Sequence, residues 1–131
     1  MRKYLLGAAM LMAMGTTASA DPAHGIWQTE VDDGAFAHVQ LGPCANAAAV
    51  CGSIISTFRD GGTPYDSPNL GRQLVIDMVP QGGGDYEGSV WRPSNDRIYI
   101  GRMEVSDDRL ALRGCVAGGL ICARQNWVRV Q

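Results

Sequence analysis

"DRIYIGRMEVSDDRLALRGCV", Asp96 to Val116, decides the fold class. Two runs rich in β-branched, aromatic and aliphatic residues, "DRIYIGRMEV" and "DRLALRGCV", flank the turn residues "SDD", and neither carries the repeat of an amphipathic helix. Two strands joined by a tight turn are expected. Working outward, the same texture returns in "GIWQTEV" (25–31), with Trp27, Thr29 and Val31 on one side, and in "AFAHVQL" (35–41), with Ala37, Val39 and Leu41 together. It continues through "VCGSIISTF" (50–58), "RQLVIDMV" (72–79), "DYEGSVWRP" (85–93) and "RQNWVRVQ" (124–131). "DDG", "GP", "PQGGG", "PSND" and "AGG" punctuate these runs with turn formers. Only "CANAAAV" leans toward helix, and it has room for a single turn at most. Eight short strands with tight turns favour an all-β, antiparallel up-and-down barrel over a sandwich, because closure removes both exposed sheet edges.

The first twenty residues set the compartment. "MRK" is basic, "YLLGAAMLMAMG" is apolar, and "TTASA" ends in the small-x-small pattern of a secretory signal peptide, with cleavage expected after Ala20. The apolar run falls short of the roughly 20 residues of a membrane span, and no cysteine near the cleavage point offers a lipid attachment site. A periplasmic or secreted domain over residues 21–131 is therefore expected, with no membrane span. At that length it buries roughly 65% of its unfolded surface. From Asp21 onward the cations are all arginine, from Arg59 to Arg129, and 13 acidic residues outnumber them. This balance disfavours nonspecific binding to nucleic acid or to anionic membranes, while interspersed arginines still allow a local anion site.

An oxidising compartment permits the four cysteines to pair, and they come in two C-x6-C spacings, "CANAAAVC" and "CVAGGLIC". Of three connectivities, the local one, Cys44 with Cys51 and Cys115 with Cys122, staples a hairpin near its turn in each case. Loops this short contribute roughly 2.5 kcal/mol each in the chain-entropy model. Zinc sites use gaps of two to four residues with histidines at fixed offsets, and redox dithiols use C-x-x-C. Neither pattern is present, so no metal and no cofactor are expected.

"GIW" opens the first strand and "WVRV" closes the chain. First and last strands of a closed barrel are neighbours, so Arg129 is placed to lie across Trp27 by a cation–π contact, with Trp127 as a second structural aromatic. That arrangement resembles the calycin group of lipocalin-like barrels. More specifically, "DPAHGIWQTE", "CGSIISTF", "YDSPNLGRQL", "WRPSNDRIYIGRMEV", "LALRGC" and "QNWVRV" resemble, in order, the pattern of the exported bacterial proteins labelled DUF2147. The resemblance implies a small lipocalin-like barrel and no established activity. The chain departs from the pattern where "SPNLGR" reverses an Asn-Pro order and where Trp91 and Asp96 replace a tyrosine and a glycine.

Catalytic signatures are sparse. His24 and His38 sit in no nucleophile motif and lack metal-ligand spacing, and "QGGGD" lacks the lysine of a phosphate loop. Asp60, Asp66 and Asp85 lie in glycine-rich loops and would serve a hydrolase only if they met at one barrel mouth. The long connection "STFRDGGTPYDSPNLGRQL" exceeds ordinary hairpin loops. Its Tyr65, Asp66, Asn69 and Arg72 combine an aromatic face, an acceptor, an amide and a planar cation, suited to a polar ligand or a partner; a bland alternative ties Arg72 to Asp66. The expected function is binding of a small apolar or amphipathic ligand in the barrel mouth, lined by Trp91, Tyr99, Met103, Ile55 and Ile76, without catalysis. A protein-interaction module of the cell envelope, such as an inhibitor, is the rival class, and a hydrolase is the third. Small residues (Ala35, Ala37, Gly88) and large ones (Trp91, Trp127) leave open whether the interior is hollow or filled.

Overall fold

The structure, a computed structural model, describes residues 21–131; the signal segment expected over residues 1–20 lies outside them. Alternating side chains give eight strands: β1 (Gly25–Gln28), β2 (Ala35–Pro43), β3 (Val50–Arg59), β4 (Gln73–Gly82), β5 (Asp85–Arg92), β6 (Arg97–Ser106), β7 (Arg109–Val116) and β8 (Ile121–Arg129). Each pairs antiparallel with the next, and Trp27↔Arg129 and Gln28↔Val128 join β1 to β8, so the sheet closes into the up-and-down barrel. Both disulfides are local. Cys115 and Cys122 are direct cross-strand partners, and Cys44–Cys51 binds the ends of the β2–β3 hairpin.

Two strand limits differ from the sequence expectation. β1 stops at Gln28 because the chain turns through Asp33 and Gly34, both at positive φ, which leaves Val31 exposed rather than on the Trp27 face. β8 starts at Ile121, three residues early, because Ala117, Gly118 and Gly119 turn tightly at positive φ and return the chain at once. "CANAAAV" forms turns and no helix.

Inward positions fill the barrel. Trp27, Val39, Val50, Val75, Met78, Leu110 and Trp127 are the fully buried centre. Across β5, β6 and β7 three glycines stand side by side, Gly88↔Gly101↔Gly114. A Cβ on Gly101 would strike the Met78 methyl group, and one on Gly88 would strike the Ile76 and Asp77 carbonyls. Glycine there lets β4 lean inward, and Met78 occupies the space a ligand would need. Register breaks on β2–β3 and β3–β4 mark β-bulges. The first leaves Ile55 unpaired and turned out to solvent, so it does not line the interior as expected; Ile76 packs against the core only in part.

The two ends differ. At the floor, Ala23 is buried, its carbonyl accepts the Trp27 indole N–H at 2.9 Å, and the Tyr86 hydroxyl donates to the Asp21 carboxylate. Burial, then that bond, pushes the Tyr86 hydroxyl pKa well above its ordinary value. Arg129 lies 4.3 Å over the Trp27 ring and donates to the carbonyls of His24, Pro22 and Asp107, as the end-strand pairing anticipated. No helix among the described residues is long and apolar enough to cross a membrane.

Candidate functional site in the barrel mouth

The opposite end is formed by the β1–β2 turn, the long β3–β4 connection, the β5–β6 turn and the β7–β8 turn. The long connection is stitched to β3 rather than left loose. Arg59 N–H donates to Thr63, Tyr65 N–H to Thr57, and Gly71 N–H to Ile54, while Ile54 N–H returns a bond to Arg72. Thr57, buried, is the key polar peg: its hydroxyl donates to the Tyr65 carbonyl and accepts the Ser67 N–H, and the Ser67 hydroxyl accepts the Asn69 N–H. A hydroxyl peg of this kind satisfies loop amides that water cannot reach.

Between these elements lies a hollow of about 300 Å³. Ala37, Ile54 and Leu74 supply apolar surface, and Thr57, Tyr65, Ser67, Asn69 and Gln125 supply hydrogen-bonding groups around it. Across it runs a strap: Arg92, at the end of β5, donates twice to the Asp32 carboxylate on the β1–β2 turn, both at 3.0 Å, and Ser94 adds a bond at 3.3 Å. These bonds hold the Asp32 carboxyl below its ordinary pKa of 3.8, the Arg92 bond first, against the opposing effect of burial.

The sequence-predicted residues divide. Tyr65 and Asn69 line the hollow, and the Arg59 guanidinium lies 3.8 Å over the Tyr65 ring. Asp66 is exposed and the expected tie to Arg72 is not made. Instead Arg72 lies 3.8 Å over the Trp91 ring and 3.9 Å from Asp96, which also accepts the Trp91 indole N–H at 2.8 Å. Successive strand residues face opposite sides, and Val90, paired with Tyr99, points inward, so Trp91 falls on the outer wall beside Ile98. It is a covered outer-wall aromatic and not part of the hollow's lining. Tyr99 is half-buried against the core, its hydroxyl accepting the Asn95 amide at 2.7 Å. Met103, 2% exposed, lies in the packed interior between Tyr86 and Leu112 and does not reach the mouth. Thr57, Ser67, Leu74 and Gln125 were not singled out from the sequence; the burial of two small hydroxyl residues is what distinguishes them, and composition carries no sign of it.

The three loop aspartates do not converge. Asp85 follows the β4–β5 turn at the floor, whereas Asp60 and Asp66 belong to the mouth connection, so the three do not meet at one barrel mouth. His38 lies on the outer wall against Phe58, its ring 3.1 Å from the Gln28 amide oxygen, and burial lowers its pKa. Cys44, Cys51 and Asp77 come within 4.8 Å of one another, but both sulfurs are spent in a disulfide, which leaves one carboxylate. A second hollow, about 380 Å³, lies along β5–β7 beside Glu87, Arg102, Glu104 and Arg113 and mixes both signs of charge.

Fold and mouth together define a closed eight-stranded barrel with a filled interior and a shallow, mixed-polarity hollow at one end. The family model of an uncharacterised protein conserved in bacteria, DUF2147, matches residues 25–129, and the chain belongs to that family. No curated protein and no solved structure matches the chain.

Proposed function

We propose that the chain is an exported binding barrel whose mouth takes one small amphipathic molecule. The observation that carries this reading is the hollow of about 300 Å³, apolar at Ala37, Ile54 and Leu74 and polar around its edge. That volume stands at the small end of the range for small-molecule sites, roughly 300–1,000 Å³. An apolar segment of the ligand rests on Ile54 and Leu74. Its polar head meets Tyr65, Ser67, Asn69 and Gln125, with Arg59 on one side and Glu30, Asp32 and Asp33 on the other, which suits a neutral hydrogen-bonding head group. A long, wholly apolar ligand fits less well, because Met78 and the two buried tryptophans already fill the barrel below.

Native mass spectrometry of protein purified from its own cell envelope, compared with the same sample denatured, tests the reading. A mass excess of at most a few hundred daltons that denaturation releases, and that Leu74→Trp abolishes, is the expected result. No excess in the wild-type protein refutes it and moves attention to the rival class, an envelope interaction module, for which the filled interior is the favouring observation.

A further inference from the structure

Of the large apolar side chains that stand exposed among the described residues, Ile98, Ile100, Val116, Leu120 and Ile121 gather at one corner of the barrel, where β6, β7 and β8 meet the mouth end. Leu120, 87% exposed, is the tip of the β7–β8 hairpin, and Ile98 and Ile121 are each 65% exposed. Register places Ile100 next to Cys115 and Cys115 next to Cys122, so the outer wall beneath the tip continues apolar across the disulfide.

Two residues further down the same wall stands a row of cations. Arg102, Arg113 and Arg124 are direct partners across β6, β7 and β8. Like charges placed opposite one another in a sheet destabilise it, and no acidic partner relieves them: Arg102 donates to the Gly119 carbonyl of the tip, Arg124 to Asn126, and no ion pair forms at any of the three among the described residues. By register, Glu87 beside Arg102 and Glu104 one row lower are the nearest acidic groups on β5 and β6, and on the far side the Glu30 carboxylate accepts the Asn126 N–H, two residues from Arg124. A Cβ on Gly119, at φ 94°, would strike the Arg102 guanidinium, so tip and Arg102 pack as one unit.

From Ile100 to Arg102 the strand advances about 7 Å. That is the depth, roughly 5–10 Å, to which interfacial proteins bury apolar side chains below the head groups. We propose that this corner docks the protein on the surface of an anionic lipid bilayer, with Leu120 and Ile98 entering the acyl boundary, Ile121 and Val116 facing the mouth rim beside them, and the three arginines at the level of the lipid phosphates. A convex tip suits a fluid bilayer better than a preformed protein groove, and the order of apolar tip followed by cationic row matches the order of acyl chain followed by phosphate. The negative net charge of the chain does not oppose this, because surface charges act over about a Debye length, roughly 8 Å in physiological salt, and the row itself sets three arginines against one acidic neighbour in line, Glu87. The proposal does not depend on the ligand assigned to the mouth.

Vesicle flotation tests it, using processed protein with its N-terminus checked by mass. Vesicles of equal parts phosphatidylglycerol and phosphatidylethanolamine should carry the protein, and phosphatidylcholine vesicles should not. Leu120→Gln should weaken partitioning roughly tenfold, and Arg113→Gln roughly fivefold, with a further fall as salt is raised. Both side chains are on the surface, and an unchanged melting temperature for each variant separates lost docking from lost folding. Absence of binding to anionic vesicles, or binding indifferent to Leu120→Gln and to salt, overturns the proposal. A protein partner lost from both variants while vesicles remain unbound reassigns the corner to protein recognition and likewise overturns it.

Discussion

Replacing Arg129 by methionine should lower the melting temperature by about 12 °C. The side chain, 23% exposed, donates three hydrogen bonds to main-chain carbonyls, at 2.8 Å to His24, 2.7 Å to Pro22 and 3.1 Å to Asp107, and covers the Trp27 ring at 4.3 Å. Each bond contributes about 1 kcal/mol, at the modest end because the site is partly wet, and the cation–π contact about 1 kcal/mol more. The Asp108 ion pair, 3.3 Å but with the carboxylate 82% exposed, adds little. Methionine restores about 1 kcal/mol by packing on the ring, leaving a net loss of about 3 kcal/mol. For a domain of this length that corresponds to about 4 °C per kcal/mol. Circular dichroism melts of wild type, Arg129→Met and Arg129→Lys read the effect directly. Lysine keeps the charge without the planar fork, so it should recover less than half of the loss. A methionine variant melting within about 3 °C of wild type would refute the assignment of Arg129 as the clasp between N-terminal segment, first strand and last strand.

Peptide mapping without reduction should recover Cys44 joined to Cys51 and Cys115 joined to Cys122, and removing either pair should cost roughly 2.5 kcal/mol in urea unfolding; a crosslink between the pairs contradicts the register. The strap over the mouth should be pH-dependent. Asp32 has its pKa lowered on folding, so its stabilising contribution is complete above the unfolded value near 3.8 and disappears as pH falls through the lower folded value. The difference in melting temperature between wild type and Asp32→Asn should therefore shrink when the pH is taken from neutral to below that value; an undiminished difference contradicts the strap.

The mouth shows where reading from sequence loses hold. Tyr65 and Asn69 were legible because a connection that long, bearing an aromatic and an amide, stands out against ordinary turns. Their neighbours Thr57 and Ser67 were not, since a hydroxyl becomes a buried peg only once a particular loop is laid over it. Arg72 was expected to meet the aspartate six residues before it and instead covers Trp91, which alternation turns to the outer wall. Met103 and Ile55 were both assigned to the mouth; one is sealed in the centre and the other is thrown outward by a bulge.

Strand period, turn residues and the two cysteine spacings determined by themselves that this chain is a disulfide-stapled barrel, because each depends on neighbours in sequence: alternation on the pleat, turns on local φ preferences, C-x6-C on loop closure. The pairing of Trp27 with Arg129 was also determined there, since barrel closure makes the chain ends adjacent. Only the tertiary structure decided whether the interior is open. Three glycines on separate strands align only through the register of β5, β6 and β7; the β4 main chain at Ile76 and Asp77 takes the space beside Gly88, and the Met78 side chain takes that at Gly101. The arginine row is decided in the same way: Arg102, Arg113 and Arg124 are far apart in sequence and become one surface only when antiparallel pairing sets them in line.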